Sequence, residues 1–185
     1  MVLATTARGG LWRGLPALVA GAAHAAAADS LRVRIAWGGG ADRLWQGTVS
    51  VSQGTLAEPV PLGIEADEPG SMWLDHGQLT IRQRSARAYD GLDLLVSAPP
   101  DARLVVQLAP AEDAAHPIRA EIPLAHVADQ SHNTDLDARG NRLLVSRSPG
   151  DALRVTLAQR SLVFAPGDVL KFELTPNLAG IPPES

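Results

Sequence analysis

Apolar and polar residues alternate at every second position through most of residues 91–108. A two-residue period predicts β-strands that bury one face. The Pro99-Pro100 pair divides the stretch into two halves, because proline fixes the backbone angle φ and has no amide hydrogen to donate. We therefore predict a β-hairpin here, or at least two neighbouring antiparallel strands.

The same period appears earlier in the chain, from Leu31 to Trp37 and again from Trp45 to Val51. Residues 38–43, which include three consecutive glycines, are predicted to form the flexible turn of a second hairpin. Trp37 and Trp45 fall on the buried face of this hairpin, near one end. They are predicted to form an aromatic plug at the end of the core, with a ligand-stacking pair as the alternative.

Further along the chain the alternation is shorter and less regular. Residues 71–74 and 79–82 are predicted to form two short strands joined by a turn, and residues 118–122 another strand. The alternation weakens through residues 55–70, which contain three prolines. Residues 123–140 are the longest stretch without clear periodicity and are predicted to be a loop.

Together these segments predict an all-β fold, an antiparallel β-sandwich of the immunoglobulin-like or jelly-roll-like kind. Residues 29–157 are expected to form this domain from about seven to nine strands. A chain of this size can bury enough surface to be stable without disulfides. The predicted core is made of apolar residues from the alternating stretches, namely Leu92, Leu94, Val96, Leu104, Val106, Val145, Leu153 and Val155.

Residues 158–185 are predicted to form a terminal hairpin and a proline-rich tail. The hairpin comprises two strands within residues 161–174, on either side of a Pro-Gly-Asp turn. Because a lone hairpin is marginal in water, its apolar residues need a cover. The hairpin is expected either to complete the sandwich or, as we favour, to begin a second β-sandwich that is cut off.

A short internal repeat supports the favoured interpretation. Residues 148–157 and 165–174 both contain Pro-Gly-Asp followed by alternating apolar residues. The stretch from Phe164 to Asp168, FAPGD, resembles the first turn of immunoglobulin-like β-sandwich modules in large exported bacterial proteins. The resemblance covers about the last quarter of the chain. It implies a role in structural spacing, carbohydrate binding or adhesion, and it brings no catalytic residues.

Residues 1–28 have the features of a cleavable signal peptide. Arg8 and Arg13 precede a short apolar centre at residues 15–23, and residues 26–28 form an A-x-A cleavage site. The apolar centre is too short to span a membrane, and no later apolar run is long enough. We therefore expect the protein to be exported to the periplasm, the cell surface or the extracellular medium.

Composition and motifs exclude several classes of function. The chain has no cysteine, which rules out disulfides, thiol catalysis and cysteine-based metal sites. Its formal net charge is −4. A chain with a negative net charge does not provide the positive electrostatic field that binds the phosphates of a nucleic acid. The sequence contains no G-x-S-x-G, H-E-x-x-H, P-loop or G-x-G-x-x-G motif. We therefore predict no cofactor, no metal site and no catalytic residue.

Two acidic stretches carry groups that could act chemically. Glu65 and Asp67 belong to a carboxylate cluster, which predicts a solvated loop more strongly than a general acid and base or calcium ligands. Asp135 and Asp137 resemble the start of a calcium loop, but Arg139 occupies the third ligand position and would repel the ion. We predict an ordinary turn there.

Trp73 and Tyr89 are the predicted ligand-binding residues. The apolar neighbours of Trp73 are typical of a core position. However, an exposed Trp73 beside Tyr89 or other polar groups could stack on a sugar ring.

The sequence therefore predicts a non-catalytic accessory module of a larger secreted or surface system, structural or carbohydrate-binding. Its partners would be a glycan or other domains of an extracellular protein. The alternative is the N-terminal portion of a secreted hydrolase of the glycosidase type. The acids and bases available to such an enzyme are Glu65, Asp67, Asp135 and His132.

Overall fold

The structure, a computed structural model, describes residues 29–63, 70–157, 163, 165–167 and 169–179. Within these ranges nearly every regular element is a β-strand, and all strand pairs are antiparallel. The predicted all-β, antiparallel class is therefore confirmed. The predicted signal peptide at residues 1–28 lies outside the described residues and stays a prediction.

The first of two five-stranded sheets, sheet A, has the strand order β3-β6-β1-β10-β9. The long strands β1 and β6 form its centre, in a register that pairs Leu31 with Val96 and Ile35 with Leu92. The bounds of its strands are β1 (Asp29–Arg43), β3 (Thr55–Pro61), β6 (Arg87–Ala98), β9 (His132–Asp135) and β10 (Arg142–Arg147).

The second five-stranded sheet, sheet B, has the order β4-β5-β2-β7-β8. Its strands are β2 (Trp45–Val51), β4 (Met72–Asp75), β5 (Gln78–Arg82), β7 (Arg103–Pro110) and β8 (Ile118–Pro123). The pairing of β4 with β5 confirms the predicted strands at 71–74 and 79–82, and His76 and Gly77, with φ of 46° and 77°, form the tight turn between them. The strand predicted at 118–122 is confirmed as β8.

Alternate residues of both sheets meet in one hydrophobic core. Leu92, Leu94, Val96, Leu104, Val106 and Val145 are buried there, as predicted. Because each strand has a two-residue period, the opposite residues of every strand face outward and form the two outer faces of the sandwich. Those outer faces are where a partner molecule can reach the strands.

The predicted hairpins between β1 and β2 and between β6 and β7 are wrong. In each case the first strand belongs to sheet A and the second to sheet B, so the chain crosses from one sheet to the other. Strands that face each other across a core bury alternate residues just as paired strands do, and the two arrangements have the same sequence pattern. Leu44 separates β1 from β2, and residues 99–102 make the second crossing.

Residues 38–43 are not a flexible turn, because β1 continues through them to Arg43. Gly38 has a φ of 112°, and a Cβ atom built on it would lie 2.1 Å from the carbonyl oxygen of Ala88. Only glycine fits this close approach between β1 and β6. Trp37 and Trp45 are both buried in the core, one from each sheet, so neither presents a stacking face to solvent.

Regular structure occurs in two stretches where the alternation is weak or absent, and the second of them, residues 123–140, was predicted to be a loop. Residues 55–61 form the edge strand β3 despite Pro59 and Pro61, because an edge strand tolerates a residue without an amide donor. Its register shifts between Ala57 and Val60, where Glu58 has a φ of 47°. Residues 123–140 contain the short helix α1 (Leu124–Asp129) and strand β9. Residues 64–69, with Glu65 and Asp67, lie outside the described residues.

A separate two-stranded sheet, which we call the ribbon, consists of β11 (Leu153–Leu157) and β12 (Phe172–Pro176). The predicted core positions Leu153 and Val155 are wrong, because they lie on the ribbon and are 48% and 55% exposed. β12 pairs with β11, whereas the prediction paired it within residues 161–174. Phe164 and Asp168 of the FAPGD stretch lie outside the described residues.

A buried carboxylate joins the base of the ribbon to sheet A. Asp151 accepts hydrogen bonds from the backbone amide of Arg32 (3.1 Å), from the Arg147 side chain (2.8 Å) and from the Asn177 side chain (3.0 Å). The Asn177 side chain also donates to the Ser30 carbonyl at 2.9 Å. These polar contacts link one end of the ribbon, where β11 starts and β12 ends, to β1 and β10.

Candidate ligand-binding site

Trp73 lies on the outer face of sheet B, where its side chain is 42% exposed. It is therefore not a core residue. Its neighbour Met72 packs against the core from the inner face, and the strand alternation turns Trp73 the other way. The exposure that the sequence analysis required for a stacking role is present.

A row of polar side chains extends from Trp73 across the sheet. Trp73 pairs with Thr80 on β5, Thr80 with Thr48 on β2, and Thr48 with Gln107 on β7. Because paired residues lie side by side on one face, all four side chains point outward. With strands about 4.8 Å apart, the row spans about 14 Å.

These residues line a shallow groove that is open to solvent. The groove is also lined by Gly47, which has no side chain, and by Gln46, Arg82 and Pro117. Amide, hydroxyl and guanidinium groups can donate and accept hydrogen bonds around a ligand, while the Trp73 ring offers an apolar surface. No Asp or Glu is among the described residues that line the groove.

Tyr89, the second predicted binding residue, lies on the opposite side of the molecule. It pairs with Gly38 on the outer face of sheet A and is 70% exposed. A Cβ atom at Gly39 would lie 3.0 Å from the Tyr89 hydroxyl, so the ring lies close to the glycine backbone. The structure therefore does not bring Trp73 and Tyr89 together.

Tyr89 has its own groove, which Asn133 and Arg142 also line. The guanidinium group of Arg142 lies 3.1 Å from the Asp135 carboxylate. Its charge is thus already matched, and the floor at Gly38 and Gly39 offers no side chain to a ligand. This groove provides fewer hydrogen-bonding side chains than the groove beside Trp73.

Of the four candidate acids and bases of a hydrolase, His132 and Asp135 belong to the described residues. His132 and Asp135 both lie on the edge strand β9, and Asp135 is paired with Arg142. Glu65 and Asp67 lie outside the described residues. Within the described ranges, no three His, Asp or Glu side chains are arranged to hold a metal ion.

Asp137 closes a structural turn. One of its carboxylate oxygens accepts the backbone amides of Arg139 (2.8 Å) and Asn141 (3.1 Å), and the other accepts the side chains of Arg43 (2.7 Å) and Asn141 (2.8 Å). Burial alone would raise the pKa of Asp137, but the hydrogen bonds from Asn141, Arg43 and Arg139 outweigh it and lower the pKa to about 2. We call this group the Asp137 clamp.

Arg82 and Gln107 are groove residues that the sequence did not single out as a site. Both fall on the polar phase of a predicted strand, which is the signal that places a side chain on an outer face. However, the strand phase does not reveal which strands are neighbours, and β2, β5 and β7 come from distant parts of the chain. Their convergence with Trp73 is visible only in the sheet order.

The described α-helix, α1, has six residues, and no helix in the described ranges has the length and apolar character that a membrane crossing needs. Comparisons with protein-family models, with curated proteins and with solved structures give no significant match to this chain. The groove beside Trp73 is therefore the observation from which we infer a function.

Proposed function

We propose that this chain is a non-catalytic, exported accessory module that binds carbohydrate in the groove on the outer face of sheet B. The observation that carries the proposal is the exposed Trp73 ring at one end of a transverse row of hydroxyl and amide side chains. A sugar ring has an apolar face and a polar rim. It therefore suits an aromatic surface bordered by hydrogen-bonding groups.

The dimensions of the groove also suit a sugar chain. A span of about 14 Å across the strands accommodates a short oligosaccharide rather than a single ring. The absence of carboxylates among the described lining residues favours binding over hydrolysis, which requires a pair of acids on either side of the scissile bond. Export by residues 1–28 would place the module where polysaccharides occur.

The ribbon supports the accessory part of the proposal. Its apolar face is exposed, and a lone two-stranded sheet gains stability when another domain covers it. Such a neighbouring domain belongs to the larger secreted or surface system. The immunoglobulin-like or jelly-roll-like relationship is part of the same proposal, and the two packed five-stranded sheets support it.

Affinity gel electrophoresis and a glycan array with the purified chain test the proposal. We expect a polysaccharide in the gel to retard the protein. Trp73→Ala should weaken binding about five- to twelvefold, because an aromatic contact contributes about 1 to 1.5 kcal/mol. Tyr89→Ala is the matched control, since it removes an exposed aromatic ring from the other outer face.

Two outcomes would contradict the proposed site. If Tyr89→Ala abolishes binding and Trp73→Ala does not, the site is the groove on sheet A. If the unaltered chain binds no glycan on the array, the carbohydrate-binding function is wrong and only a structural role is left. Circular dichroism of both variants should match that of the unaltered chain, because both side chains are exposed.

A further inference from the structure

Among the described residues that line the groove beside Trp73, Arg82 is the one with a positive charge. It follows Thr80 by two residues on β5, so both side chains point to the same outer face. Arg82 pairs with Gln46 on one side, and on the other side Trp73 is its diagonal cross-strand neighbour. Diagonal positions of this kind are about 7 to 8 Å apart, within reach of long side chains.

Among the described residues, no side chain matches the charge of Arg82. No carboxylate of the described residues lies within ion-pair distance of it. On sheet A, by contrast, Arg34 binds Asp93 through two hydrogen bonds of 2.9 Å, and Arg142 lies 3.1 Å from Asp135. The arginine beside Trp73 is therefore available to a ligand.

The positive charge of Arg82 lies in a chain whose net charge is −4. An acidic surface repels anionic polymers at long range, and a binding site for them needs a local positive group. A guanidinium group presents parallel N–H donors that match a carboxylate or sulfate, and it stays charged at any physiological pH. Arg82 supplies such a group beside the stacking surface of Trp73.

We propose that the groove selects acidic glycans. One sugar ring stacks on Trp73, and a carboxylate or sulfate on that unit or its neighbour pairs with Arg82. Thr48, Thr80 and Gln107 hydrogen-bond to the hydroxyl groups of the following units along the row. The inference rests on the proposed function, because it assigns the ligand class of the same groove.

Binding to three oligosaccharide probes tests this selection by isothermal titration calorimetry with the full chain. The probes are an oligogalacturonate, a sulfated galactan oligosaccharide and a neutral galacto-oligosaccharide. The unaltered chain should bind the oligogalacturonate more tightly than the neutral probe. Its affinity for the sulfated probe should be equal to or lower than its affinity for the oligogalacturonate. Binding of both anionic probes indicates that charge is recognised, and binding of the galacturonate alone indicates recognition of the planar carboxylate.

Arg82→Gln should weaken oligogalacturonate binding about tenfold, because a hydrogen bond between charged groups is stronger than one between neutral groups. The affinity of this variant for the neutral probe should stay within twofold of that of the unaltered chain.

Arg103→Gln is the matched control, because Arg103 is an exposed arginine on strand β7 of the same sheet and does not line the groove. It should leave the affinity for all three probes within twofold. Raising the salt concentration should weaken oligogalacturonate binding to the unaltered chain more than to Arg82→Gln.

The variants separate failure of the acidic preference from failure of the site. If Arg82→Gln leaves oligogalacturonate binding unchanged while Trp73→Ala removes it, the acidic preference is wrong and the groove still binds sugar. If Arg103→Gln weakens binding as much as Arg82→Gln, the general field of the protein is responsible, and the assignment of Arg82 is overturned. If Trp73→Ala changes nothing, the proposed site on sheet B is wrong, and the assignment of Arg82 is wrong with it. If the unaltered chain binds none of the three probes and no glycan on the array, the proposed function itself fails.

Discussion

Strand β6 and the ribbon carry the same alternation of apolar and polar residues, yet their apolar faces have opposite environments. Leu94 on β6 is fully buried, whereas Leu174 on β12 is 52% exposed. β6 pairs with β1 and β3 and packs across the core on sheet B, whereas among the described strands β11 and β12 pair only with each other. Alternation therefore creates an apolar face, and a second layer is needed to bury it.

The two regions are also held in place by different forces. The sandwich is stabilised by removal of apolar side chains from water on both sides of one core. The ribbon is joined to sheet A at its base through the polar contacts of Asp151, Arg147 and Asn177. Substitutions that remove apolar groups should therefore affect the two regions very differently.

The largest effect is expected from Leu94→Ala. Removing a fully buried leucine loses its transfer free energy and leaves a cavity, which together cost about 3 kcal/mol of the free energy of unfolding. Urea unfolding followed by tryptophan fluorescence measures this loss, because Trp37 and Trp45 are buried in the core and report on the sandwich. A loss of less than about 1 kcal/mol would mean that β6 does not lie in a packed core.

Strand β6 illustrates what the sequence predicts well about the fold. Its inward residues, and those of β7, could be identified because burial on one face imposes a two-residue period. The partner of each strand could not be identified, since β6 and β7 bury the same phase whether they form a hairpin or face each other across the core. The two-proline connection at 99–100 fits both arrangements.

The candidate site was predictable only in part, for a related reason. Trp73 was identified from its residue type, but its exposure was not, because Met72 and Leu74 suggested a buried segment. Tyr89 was grouped with it although the two lie on opposite outer faces. A site built from β2, β4, β5 and β7 depends on the order of strands in the sheet, and no local pattern carries that order.

Lowering the pH tests how much the Asp137 clamp contributes to the free energy of unfolding. The clamp holds Arg43 and residues 139–141 at one end of the sandwich. The pKa of Asp137 is lowered from 3.8 to about 2. The clamp therefore stabilises the fold fully above about pH 4, and this contribution is lost as the pH falls from about 4 to 2. The shift corresponds to about 2 kcal/mol.

The measurement compares urea unfolding of the unaltered chain and of Asp137→Asn between pH 7 and pH 2. Asparagine cannot form the ion pair with Arg43, so the variant should be about 2 kcal/mol less stable at pH 7. The two proteins should converge near pH 2, where Asp137 itself becomes protonated. A constant gap across this range would show that ionisation of Asp137 is not the cause. Asp101→Asn, at an exposed carboxylate in the connection between β6 and β7, should leave the pH dependence unchanged.

The smallest effect is expected from Leu174→Ala, which makes in the ribbon the same chemical change that Leu94→Ala makes in the core. Leu174 pairs with Val155 on a face that is exposed, so its truncation removes little buried surface and leaves no cavity. We expect the free energy of unfolding of the sandwich to change by less than about 1 kcal/mol. We also expect the fluorescence of a hydrophobic dye bound to the native chain to decrease, since the apolar patch becomes smaller. If Leu174→Ala instead costs as much as Leu94→Ala, the ribbon packs on the sandwich in solution, and the contrast between the two regions disappears.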